Sequence, residues 1–118
     1  MTGPFVIAAL DILNSAIADF RFAIDGATSE ALNWRPAGED TNSIAVLTVH
    51  SMHSTRSWLS VATGAALPDR DRPSEFRATA PEQGELLTMV ESFAGDCRRI
   101  LETSSVTDWG AARVGCGT

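Results

Sequence analysis

Residues 4–26 read PFVIAALDILNSAIADFRFAIDG, and this stretch decides the fold class. Val6, Leu10, Leu13, Ile17, Phe20 and Ile24 recur at steps of four and three residues, while Asp11, Asn14, Ser15, Asp19 and Arg21 fall between them. That period is the signature of an amphipathic α-helix. Pro4 suits its first turn, where a missing N–H costs nothing, and Gly26 can take the left-handed conformation at which helices end. At roughly 1.5 Å per residue such a helix runs about 33 Å, a full bundle length.

Outward from this helix, residues 27–41 carry Trp34-Arg35-Pro36 and then Gly38-Glu39-Asp40, a polar connection with a proline-fixed bend. Ser29–Leu32 can add one helical turn. A second long helix is expected from Asn42 or Ser43, either of which can accept a backbone hydrogen bond as a cap, to Gly64. Its apolar stripe is read as Ile44, Leu47, Trp58, Val61 and Ala62, interrupted by Ser51 and Ser54. Residues 65–78, with two prolines and the alternating charges Asp69, Arg70, Asp71 and Arg72, read as a solvated crossover over one end of a bundle.

Thr79-Ala80-Pro81-Glu82 has the form of a capping box, in which a hydroxyl and a carboxylate satisfy each other's free backbone donors. It predicts a third long helix that continues through Leu86, Val90, Phe93, Cys97, Ile100 and Leu101, with Arg98 and Arg99 opposing the helix dipole in the last turns. Residues 104–118 have no usable period and read as an irregular tail. No segment sustains the β-branched alternation of a strand. The expected fold is therefore all-α: one domain over 1–118, with three long helices in an up-and-down bundle.

Composition agrees. The chain has 118 residues, of which 44% are apolar and 20% charged, as in an ordinary globular domain. Fifteen acidic residues against nine basic ones give a net charge of −6, which argues against a nucleic-acid partner. All the basic residues are arginine, so lysine-based nucleophilic catalysis is excluded. The apolar run from Phe5 to Leu10 lacks a basic flank and meets Asp11, unlike a signal peptide. The longest charge-free stretch, from Thr41 to Thr55, is too short and too polar to span a membrane. Cys97 and Cys116 form neither a disulfide framework nor a C-x-x-C zinc motif, and a reduced cytoplasmic setting is expected.

The only histidines, His50 and His53, lie on the second helix. At about 100° per residue His50 falls at the margin of the apolar stripe, facing the bundle, and His53 is turned a further 60° toward the other side. Histidines at i and i+3 can share a metal, but a stable site needs a third protein ligand. On spacing alone, each is read as a satisfied interfacial histidine. No carboxylates form the close apolar pair that acid–base work requires, and Asp69 and Asp71 read as solvated. Cys97 reads as a small core residue, with Cys116 the more exposed thiol.

Leu32-Asn33-Trp34-Arg35-Pro36-Ala37, followed by Asn42-Ser43-Ile44-Ala45-Val46-Leu47, then His50, Trp58 and the Gly64 turn, resembles the DinB/YfiT-like superfamily over the first three helices. The resemblance implies a four-helix bundle holding a divalent metal, often zinc or nickel, on three inward histidines. It further implies thiol-dependent transferase or hydrolase chemistry with a small thiol such as bacillithiol or mycothiol. His50 matches the family's second-helix metal ligand, whereas His53 matches none. The remaining two ligands belong to a His-x-x-x-His pair on a fourth helix, which has no counterpart here. The tail from Asp108 to Thr118 is accordingly read as a truncation or a shifted frame. Loss of that helix would bare an apolar groove, and a homodimer is the expected way to fill it. Two functions follow as expectations: a metal-dependent thiol transferase or hydrolase using His50, and a non-catalytic remnant or homodimeric interaction module.

Overall fold

A computed structural model describes residues 3–110. Its three long helices are α1 (Pro4–Ile24), α3 (Ile44–Thr63) and α5 (Gln83–Glu102), with short helices α2 (Ser29–Asn33) and α4 (Arg72–Glu75) between them. Among the described residues there is no strand, and no helix is long and apolar enough to cross a membrane. The all-α reading holds. Residues 104–110 follow α5 without helix, and the rest of the expected tail, including Cys116, lies outside the described residues.

The first helix forms as its period predicts, with Pro4 at its start and Val6, Leu13, Ile17 and Ile24 buried. It stops before Gly26, which adopts φ +79. At α3, the Ser43 hydroxyl accepts from the Val46 N–H at 3.0 Å, and Gly64 ends the helix at φ +74.

The inner face of α3 differs from the predicted stripe. Leu47 and Trp58 are about half exposed, and the buried residues are Ala45, Val46, Thr48, Met52, Ser57 and Ser60. Thr48 and Ser60 can be buried because their hydroxyls donate to the carbonyls four residues earlier, at 2.7 and 3.0 Å.

The start of α5 also departs from expectation. The Thr79–Glu82 capping box does not form; the helix begins at Gln83 after an extended Glu82 that makes no side-chain cap. Ala80 is buried and both of its backbone groups are bound by Asn33, so the chain there is held extended. The Gln83 amide instead accepts from the Gly26 N–H at 2.6 Å.

Contacts along the helices set their directions. Gly26 meets Gln83, Arg21 meets Glu91 and Asn14 meets Arg98, so α1 and α5 are antiparallel. His53 meets Phe93 and Arg56 meets Asp96, so α3 and α5 run parallel. This is not an up-and-down order. Residues 65–82 do not cross one end of the bundle; they return along α3, bringing Glu75 back to His50 and Ala80 back to α2. Both α1 and α3 pack along α5, with little contact between themselves.

Candidate functional site

Where the crossover returns over α3, it builds a polar cluster. Asp71 caps α4 through the Ser74 N–H, and this short helix delivers Glu75, whose side chain is only 2% exposed, onto α3. Arg70 grips the carboxylate with both prongs, Nε to Oε2 at 2.7 Å and Nη2 to Oε1 at 3.0 Å. Oε1 also meets Nδ1 of His50 at 3.0 Å. The Phe76 ring lies against the His50 ring at 4.9 Å between centroids. Arg35, from the Trp-Arg-Pro segment, donates to the Phe76 carbonyl at 2.7 Å and to that of Thr41 at 2.9 Å, tying the crossover to the loop before α3.

Glu75 is buried and Arg70 pairs with it at a side-chain exposure of 11%, so neither is the solvated charge expected of this segment, while Asp69 and Asp71 are exposed as expected. A local signal was present in Asp71-Arg72-Pro73-Ser74-Glu75, a capping residue followed by proline in the first turn. What one sequence lacks is any sign that the resulting carboxylate lands on α3.

His50 packs against the crossover with a side chain 28% exposed, although the stripe that predicts its facing is not the inner face of α3. His53 is not turned away: it faces the same carboxylate, with Nδ1 4.0 Å from Oε2, and sets its ring edge-on to Phe93 at 4.7 Å. That Nδ1 is buried without a hydrogen-bond partner. The Arg56 guanidinium also lies against Phe93, 4.4 Å from the ring centroid, and reaches Asp96 at 3.3 Å.

Burial alone would push the Glu75 carboxyl up, but the hydrogen bonds from Arg70 and His50 outweigh it and hold it below the ordinary range. For His53, burial is the main cause of a lowered pKa; Glu75 opposes the shift, while Arg56 and Arg70 add to it. Cys97 sits on the buried face of α5, where burial raises its thiol to about 11. It is a core residue, as read from the sequence.

The donor set fits one corner of a metal site and no more. With Nδ1 of His50 engaged by Glu75, Nε2 is its available ligand atom, and among the described residues no group of three His, Cys, Asp or Glu side chains could hold a metal ion.

The second feature is a groove of about 290 Å³ between α1 and α3. Ala9, Ile12, Leu13, Ala16, Ile17 and Phe20 form one wall, Met52, Thr55 and Leu59 the other, and Leu101 of α5 contributes to the floor. None of these is charged. The apolar arc of α1 is wider than α5 can cover, and Ile12 is left 72% exposed. Beyond the groove's end, Phe5, 64% exposed, meets the Trp109 ring at 6.0 Å.

No family model matches the chain, and no curated protein or solved structure matches it significantly.

Proposed function

We propose that this chain is a DinB-like helical bundle whose ancestral metal site is reduced to His50, and that it works as a homodimeric, non-catalytic interaction module in a reduced cytoplasmic setting. The observation that carries the reading is the uncharged apolar groove between α1 and α3. A second copy is the occupant that suits it. Two molecules of net charge −6 repel one another least where they meet on a face without charge. The groove with its flanking helices offers roughly 30 Å by 20 Å, about three quarters of the ~800 Å² per partner of a standard interface. Sedimentation at micromolar concentration tests it. The wild type should be a dimer, and Ile12→Glu, at an exposed position, should be a monomer of unchanged helicity. A wild-type monomer overturns the proposal.

One observation favours a second reading, a metal-dependent thiol transferase or hydrolase acting with a small thiol. The His50 imidazole is oriented by a buried carboxylate through Nδ1, as metal-ligating histidines commonly are. A zinc or nickel ion on Nε2 would supply Lewis acidity toward a thiol. The described residues do not complete its coordination, so no catalytic step follows from them. Metal analysis of tag-free protein decides: stoichiometric metal that disappears in His50→Ala supports this reading, and folded, metal-free wild type overturns it.

A further inference from the structure

Glu75 and Phe76, consecutive residues of the crossover, hold the His50 ring by its edge and its face. The edge contact fixes more than position. A carboxylate gripped by both prongs of a guanidinium is the ion, an acceptor with no proton to give. The hydrogen between Oε1 and His50 therefore belongs to Nδ1. On a neutral imidazole that carries its hydrogen at Nδ1, the lone pair is at Nε2. A histidine side chain free in water prefers the opposite tautomer, so the crossover reverses the ordinary preference. His53 is the internal comparison: same helix and same carboxylate, but with Nδ1 4.0 Å away and no hydrogen bond.

We infer that Glu75, seated by Arg70, is a positioning residue that locks His50 in its Nδ1–H tautomer and leaves Nε2 as the accepting nitrogen of the ring. The crossover would thus be part of the site rather than a mere link, because a side chain from residues 65–78 determines which nitrogen of an α3 histidine can act.

Nitrogen NMR of the imidazoles in metal-free protein labelled with ¹⁵N-histidine, at about pH 8, tests the inference. Signals are assigned with His50→Gln and His53→Gln. His50 should show the Nδ1–H pattern in the wild type and lose it in Glu75→Ala. Should that variant fail to fold, Glu75→Leu keeps much of the volume, offers no acceptor and should also lose the pattern. An Nε2–H pattern in the wild type, or an unchanged pattern in a folded Glu75 variant, overturns the inference.

Discussion

Asn33 and Ala80 are joined by a two-point clamp: the Ala80 N–H donates to Oδ1 of Asn33 at 2.8 Å, and Nδ2 of Asn33 donates to the Ala80 carbonyl at 2.7 Å. A side-chain amide here does what a neighbouring strand would do for an extended residue, offering one donor and one acceptor to one backbone unit. The clamp explains why the returning crossover stops at α2, and why α5 starts at Gln83 rather than at the expected capping box.

Replacing Asn33 with alanine should orphan the buried Ala80 N–H, while Ser29 Oγ, at 3.2 Å, still serves the carbonyl. The expected loss is about 1–3 kcal/mol, the cost of one unsatisfied buried group. Urea denaturation measures it. Asn33→Asp keeps the acceptor but sets an anionic oxygen against the Ala80 and Ser29 carbonyls, to which Nδ2 donates at 2.7 and 2.8 Å, and should lose at least as much at neutral pH. A smaller loss in Asn33→Asp than in Asn33→Ala would mean that the acceptor arm carries the clamp.

The sequence made the helices legible and hid their arrangement. Strong periods in 4–26 and 86–101 and the Ser43 and Gly64 boundaries are local signals, and they placed α1, α3 and α5. His50 stood out as one of the chain's two histidines, but the stripe that sets its helical angle, Leu47 and Trp58, is half exposed. Glu75, Arg70 and the clamp were not legible, because each partnership joins chemically ordinary residues across a turn whose direction depends on tertiary contacts. The parallel course of α3 and α5 was hidden for the same reason: connection length permits a return path but does not require it.

His53 should make stability depend on pH near neutrality. Glu75 and Arg70 face it from the crossover, Arg56 and His50 lie on its own helix, and Phe93 abuts it from α5. Its folded pKa lies below the ordinary value near 6.5, chiefly through burial, so below that value the unfolded chain binds the extra proton first. The stabilisation is fully present above about pH 6.5 and is lost as pH falls through the folded value. Glu75, whose pKa is also lowered, adds a second loss that begins below about pH 4.5. Urea midpoints from about pH 8 to pH 5 should fall for the wild type and flatten in His53→Gln. A profile that is flat in both would place the His53 ring in water.

Cys97 should resist alkylation in the native protein. Burial removes both access and the thiolate, with the pKa raised to about 11. Iodoacetamide at about pH 8, followed by peptide mapping to separate it from Cys116, should label Cys97 only after denaturant is added. Rapid native labelling would mean that α5 opens easily from its neighbours.

The offset face of α3 provides the sharpest test of its packing, because Leu47 and Trp58 point outward while Met52 points inward among smaller side chains. Leu47→Ser removes an apolar side chain that is half exposed, and should change stability by no more than about 0.5 kcal/mol. Met52→Ala removes a side chain only 3% exposed that packs in the main core and also lines the open groove. Because one side of that residue already faces open space, its loss should fall near the lower end of the usual range for such truncations, about 2 kcal/mol. The ranking is the opposite of what the predicted stripe implies, where Leu47 is a core residue and Met52 is not. Paired urea titrations decide it. A Leu47→Ser variant as destabilised as Met52→Ala would return α3 to the predicted face.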